Sequence, residues 1–183
     1  SIASELASKL APATVATLSL TSSCSGDDDY DATTLARERD TIEAALAEAD
    51  VRGIVALTAL RGNASLAQGT TAVLQATQVA LRHALALAQA IAAADLKGVR
   101  IVVATRGAEE IDELSRPSTT DFEAEVTHDD GAALPGRAVW GFVRSLAAEM
   151  PKLNMRLVDL CPTEPSNEYD AQALYQEVTR ATS

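Results

Sequence analysis

Short apolar segments that alternate with long helical segments constrain the fold of this chain more than any other feature. Four segments are short and mostly apolar, as buried strands are: Val15–Leu20, Ile54–Leu57, Ile101–Ala104 and Met155–Leu160. Such strands are typical of a parallel sheet covered on both faces. Because strands and helices alternate, we expect right-handed β-α-β units and a small three-layer α/β sandwich with a mostly parallel sheet. Periodicity leaves both a Rossmann-like and a flavodoxin-like strand order open.

Helical spacing of apolar residues predicts helices between these strands. The predicted helices span residues 2–10, 33–50, 70–94, 136–150 and 169–180. The longest is dense in alanine, and one of its faces carries an alanine at every fourth position: Ala76, Ala80, Ala84 and Ala88. Two interpretations of this alanine face are equally open. It packs on the chain's own sheet, or it contacts a partner.

The whole chain, residues 1–183, is predicted to be one domain. Residues 105–131 are rich in Asp, Glu, Thr and Ser and break the alternation, so we expect a long excursion there. Residues 163–183 are expected to form a C-terminal extension that contains the last helix. The chain begins at Ser1 and opens directly into a helical pattern, so we interpret it as a piece of a longer protein.

Charge and composition exclude several classes of protein. The chain has 15 Lys and Arg residues against 26 Asp and Glu residues, a formal net charge of -11. Such a field repels polyanions, so we expect no nucleic-acid partner. No apolar run reaches the roughly 18 residues of a membrane span, so we expect no membrane partner. Cys24 and Cys161 are too few for a disulfide scaffold or a four-cysteine zinc site, which favours a cytoplasmic location.

The carboxyl ends of the predicted strands are where a parallel sheet would bind a ligand. A dinucleotide site needs a glycine-rich loop after the first strand, because the backbone must approach the pyrophosphate. Here that loop has the single glycine Gly26, followed by Asp27–Asp29, whose charges would repel a phosphate. We therefore predict no cofactor-binding residue in this chain.

The acidic run Asp27–Asp29 also resembles part of a Mg²⁺ pocket, as in a receiver domain. That pocket needs an Asp after the third strand, and Thr105–Gly107 stands there instead, so a solvated acidic loop is favoured. His83 and His128 have no Ser or Cys partner nearby in sequence, and the two cysteines lack a paired base. We predict no catalytic residue and no metal ligand.

Four segments of the chain together resemble a known family: Val51–Leu57, Ile101–Ala108, Arg137–Pro151 and Leu157–Leu160. In this order and spacing they resemble the structural subdomain of the ketoreductase of type I modular polyketide synthases, which is similar to short-chain dehydrogenases/reductases. The most specific segment reads A-V-W-G-F-V-R-S-L-A-A-E-M-P, and a strand ending in V-D-L follows it. The residues that carry the motif are Arg106, Gly107, Trp140, Gly141, Arg144, Glu149, Pro151 and Asp159.

The resemblance implies a truncated Rossmann-like half that binds no cofactor. It implies a partner, the catalytic subdomain of the same megasynthase, which would hold NADPH and reduce β-ketoacyl chains carried on an acyl carrier protein. An adjacent enoylreductase or dehydratase domain is a further expected neighbour.

The pattern of an active half supports this interpretation. When the chain is laid on that pattern, Thr105–Arg106 falls where the catalytic serine belongs. Trp140 falls where the tyrosine belongs, and Arg144 falls where its Lys or Asn partner belongs. The tyrosine must supply a proton, and an indole N–H cannot do so at neutral pH. We therefore expect Trp140 to be a packing residue.

Two alternatives stay open from the sequence. The chain could be a degenerate ketoreductase remnant that serves as a scaffold in a megasynthase. It could also be a small doubly wound module of the ligand-binding or receiver type.

Overall fold

A computed structural model of the chain describes residues 1–10, 18, 32–48, 50–61, 69–96, 99–108, 130–161 and 166–180. Within these residues three strands form a parallel sheet in the order β1-β2-β3: β1 (Gly53–Ala56), β2 (Arg100–Arg106) and β3 (Asn154–Leu160). Five α-helices and a short 3-10 helix, Thr58–Arg61, accompany them. The α-helices are α1 (Ile2–Leu10), α2 (Ala32–Ala47), α3 (Thr70–Ala93), α4 (Asp130–Glu149) and α5 (Asn167–Thr179).

The central strand β2 divides the core because its side chains alternate between the two faces of the sheet. Ile101 and Val103 pack with buried residues of α3 and α4 on one face. Val102 and Ala104 pack with residues of α1 and α5 on the other. The molecule is therefore the predicted three-layer α/β sandwich, with α2 added outside α3.

Helix α3 is buried on two sides, and this bears on the two interpretations of its alanine face. Ala80 and Ala84 belong to the core formed with the sheet and α4. Ala86 and Ala90, on another side of the helix, are covered together with Ile42 of α2. Ala80 and Ala84, at the centre of the alanine face, thus pack within the chain.

Helix α5 belongs to the core, although the sequence predicted it within a C-terminal extension. Ala171 and Leu174 are fully buried with Val102 and Ala104. The helix begins after Ser166, whose hydroxyl oxygen accepts a hydrogen bond from the backbone N–H of Tyr169 at 3.4 Å. At its other end, Arg100 of β2 donates to the carbonyls of Glu177 at 3.3 Å and Val178 at 2.7 Å.

Helix α4 starts earlier than the predicted 136–150, so residues 130 and 131 are helical rather than part of the excursion predicted over 105–131. At the other end of that range, Thr105 and Arg106 belong to β2, because the strand runs two residues beyond the apolar segment. Pro135 lies inside α4 and is fully buried. The predicted strand Val15–Leu20 (apart from Leu18), the loop Asp27–Asp29 and most of the excursion, residues 109–129, lie outside the described residues. No helix in the described ranges is long and apolar enough to cross a membrane.

Candidate functional site

The carboxyl ends of β2 and β3 meet at one edge of the sheet, where parallel α/β proteins bind their ligands. Thr105 and Arg106 end β2 and point to opposite faces, as strand alternation requires. Gly107 follows with a positive φ of 61°, a left-handed conformation that glycine adopts without steric cost. Its backbone N–H donates to the carbonyl of Leu160 at 3.1 Å, so the turn after β2 is fixed to the end of β3.

Asp159 on β3 is held by two hydrogen bonds from the end of β2. The hydroxyl of Thr105 donates to its Oδ1 at 2.7 Å, and the backbone N–H of Ala108 donates to the same oxygen at 3.0 Å. Thr105 is 0% exposed, so its hydroxyl is directed into the protein. The carboxylate therefore fastens the turn at residues 107–108 to β3.

Arg106 makes the second set of contacts at this edge, on the α5 face of the sheet. Its Nη2 forms an ion pair with Oδ2 of Asp170, in the first turn of α5, and both side chains are largely buried. Its Nη1 donates to the carbonyl of Cys161 at 2.6 Å. The guanidinium thus joins the ends of β2 and β3 to the start of α5. We call Thr105, Arg106, Asp159 and Asp170 the carboxyl-edge network.

Helix α4 closes this edge from the other face. A Cβ added to Gly136 would lie 3.3 Å from Cβ of Ala108 and 3.6 Å from Cβ of Thr105. The absence of a side chain at Gly136 is what lets the helix approach the strand so closely.

Two polar groups at this edge are turned toward the chain itself. In an active reductase, the groups at this edge must be directed at substrate or cofactor. Here the hydroxyl of Thr105 and the guanidinium of Arg106 are both used in bonds within the chain. Among the described residues, no group of three or more His, Cys, Asp or Glu side chains is arranged to hold a metal ion.

Trp140, the residue predicted at the tyrosine position, is partly buried on α4. Its indole Nε1 is buried and has no hydrogen-bond partner within the described part of the chain. The other motif residues of this segment, Gly141, Arg144, Glu149 and Pro151, are exposed. The motif therefore divides in two: Arg106, Gly107 and Asp159 meet at the carboxyl edge, and the remaining residues follow α4.

Asp170 was missed from the sequence, although it completes the carboxyl-edge network. The available signal was an acidic residue in the first turn of a helix, next to the apolar Ala171 and Leu174. Such an acidic residue is ordinarily read as a favourable charge at a helix N-terminus. Only the packing of α5 on the sheet brings it to Arg106.

Comparison with known proteins identifies the family. The family described as "Polyketide synthase extender module SpnB, Rossmann fold domain" matches residues 4–181. No curated protein and no solved structure matches the chain. The matched region covers nearly the whole chain, including the sheet, α3, α4 and the carboxyl-edge network. The chain therefore belongs to the Rossmann-fold domain family of polyketide synthase extender modules.

Proposed function

We propose that this domain is the structural half of a polyketide synthase ketoreductase. In this role it binds no cofactor and stabilises a separate catalytic half. That half holds NADPH, which supplies the hydride, and reduces β-ketoacyl chains on an acyl carrier protein. Family membership supports a reductase-like domain of a polyketide synthase, and the finer role rests on the site.

The carboxyl-edge network is the observation that carries the proposal. A Rossmann-type domain that used this edge for catalysis would leave polar groups open to a ligand. Here Asp159 accepts from Thr105 and Ala108, and Arg106 pairs with Asp170. Gly136 brings α4 against the same strand end. Polar bonds and close packing hold this edge together, which suits a scaffold.

Exposed apolar side chains support the existence of a partner. Three large side chains are strongly exposed near the starts of helices: Leu74 on α3 (57%), Leu134 on α4 (43%) and Tyr169 on α5 (80%). Each of these helices follows a strand of a parallel sheet, so all three residues lie toward its carboxyl end. Leu74 and Leu134 lie on the helices of one face of the sheet and Tyr169 lies on the helix of the other, so a partner that contacts all three would cover the carboxyl end of the sheet. We call these three residues the apolar rim.

The first test is direct titration with NADPH. The isolated domain is expected to produce no saturable change in nucleotide fluorescence up to millimolar concentration. Saturable binding with micromolar affinity would contradict the proposal, because the domain would then bind the cofactor that it is proposed to lack.

The second test is reconstitution with the catalytic half of the same module. Adding the domain is expected to raise the melting temperature of that half and its NADPH-dependent reduction of a β-ketoacyl thioester. Leu74→Glu should raise at least tenfold the concentration of domain that is needed for half of the full increase in activity. Gln89→Glu is the matched control, because it adds the same charge at an exposed position further along α3.

The outcomes of reconstitution separate the alternatives. If the catalytic half is equally stable and active without the domain, the domain is a scaffold remnant and the proposal is wrong. If the domain activates it and Leu74→Glu has no effect, the partner surface is not the apolar rim.

A further inference from the structure

A second buried polar cluster lies between α2 and α3, far along the chain from the carboxyl-edge network. Glu38 of α2 is 5% exposed and His83 of α3 is 4% exposed. Nε of Arg82 donates to both carboxylate oxygens of Glu38 at 3.1 Å, and its Nη2 lies 3.0 Å from Oε1. Nε2 of His83 lies 3.4 Å from the same Oε1. We call Glu38, Arg82 and His83 the α2 latch.

Helix α2 has few apolar anchors besides the latch. Of its 16 residues, Ile42 is the one buried apolar side chain, and Leu35 and Leu46 are partly buried beside it. A buried ion pair adds little net stability, because the cost of removing both charges from water offsets most of their attraction. The latch therefore fixes where α2 sits more than it strengthens the contact.

The position of α2 in the fold would allow it to detach from α3 without unfolding the sheet. Within the described residues it packs mainly on α3, outside the sheet. Its removal would uncover Ala86, Ala90 and the latch residues of α3, and it would also remove Leu46 from the edge of the core that α3 and α4 form with the sheet. The contacts of Ile101 and Val103 with Ala80 and Ala84 would remain. Regions with few apolar contacts and no role in the central sheet open at lower free energy than the whole domain does.

We propose that α2 is a separately opening helix, held on α3 by the α2 latch, that detaches as a unit while the sheet stays folded. In the open state α3 presents a surface of small side chains flanked by Arg82 and His83. The inference is independent of the proposed function, because it concerns neither the carboxyl edge nor the apolar rim.

Native-state hydrogen exchange tests this proposal on the intact domain. Backbone amides of residues 38–46 are expected to exchange at least tenfold faster, relative to their intrinsic rates, than those of residues 101–105. In low urea, their exchange should depend only weakly on denaturant, because a local opening exposes little surface. Equal protection of α2 and β2, with the same urea dependence, would overturn the proposal without any variant.

A pair of substitutions on α2 tests the latch itself. Glu38→Gln keeps the shape of the side chain and removes its charge, and it is expected to speed exchange of α2 amides at least tenfold while their weak dependence on urea persists. Glu43→Gln is the control, since Glu43 pairs with Arg39 at the surface of the same helix. Unchanged exchange of α2 in Glu38→Gln, or an equally large increase in Glu43→Gln, would overturn the role of the latch.

Discussion

The carboxyl-edge network and the α2 latch are built from similar groups, yet they differ in what they hold. Each buries an arginine against a carboxylate, Arg106 with Asp170 and Arg82 with Glu38. The first joins two strand ends to a core helix. The second joins one outer helix to its neighbour. The stability lost with a buried ion pair should therefore depend on whether the elements that it joins can separate while the rest of the domain stays folded.

The largest expected effect is the loss of the ion pair in the carboxyl-edge network. Asp170→Asn leaves the guanidinium of Arg106 buried without a countercharge, and the core around α5 cannot open to hydrate it. We expect the free energy of unfolding in urea to fall by about 3–5 kcal/mol. Glu177→Gln, which breaks the more exposed pair with Arg156, should cost about 1 kcal/mol or less. Equal losses in the free energy of unfolding for the two variants would mean that burial of the Arg106–Asp170 pair does not raise the cost of breaking it.

A smaller effect is expected from two glycines of α4 that form a matched pair. Gly136→Ala places a methyl group 3.3 Å from Cβ of Ala108 and 3.6 Å from Cβ of Thr105, and we expect the overpacking cost of about 1–3 kcal/mol to exceed the gain of about 1 kcal/mol from replacing glycine by alanine in a helix. Gly141→Ala places its methyl in open space and should stabilise the helix by about 0.5–1 kcal/mol. Thermal unfolding should therefore move in opposite directions for the two variants. A stabilising Gly136→Ala would show that the carboxyl edge is more loosely packed than the contact with α4 indicates.

The smallest expected effect is that of Glu38→Gln on global unfolding. The buried Arg82 loses its countercharge here too, but detachment of α2 lets water reach it. The loss in the free energy of unfolding therefore cannot exceed the cost of opening α2, and we expect about 1–2 kcal/mol by urea titration. If Glu38→Gln lowered the free energy of unfolding as much as Asp170→Asn does, α2 would not open more easily than the core around α5.

Much of the fold could be predicted from the sequence because its signals are local. The apolar run at 101–104 and the alanine-rich pattern at 70–94 correspond to β2 and α3 within one or two residues at most ends. The start of α4 was placed too late because Pro135 ordinarily marks a boundary, and here the helix continues through it.

The candidate site was less accessible from the sequence because it depends on long-range contacts. The motif pointed to Arg106 and Asp159, but their partners Asp170 and Thr105 are set by the pairing of strands and by α5. Glu38 and His83 likewise come together only when α2 lies on α3. An ordinary helical Glu and an ordinary helical His gave no signal of a buried pair.

The two arginines of β2 each bind one end of α5, so the length of this helix must match the length of the strand. Arg106 at one end of the strand holds Asp170 in the first turn of the helix, and Arg100 at the other end bonds carbonyls in its last turn. One residue inserted between these turns would rotate one end against the other by about 100° and shift it by about 1.5 Å. One arginine would then lose its partner. We therefore expect relatives that keep both arginines to vary in the residues of α5 while keeping the number of residues between its two anchored turns.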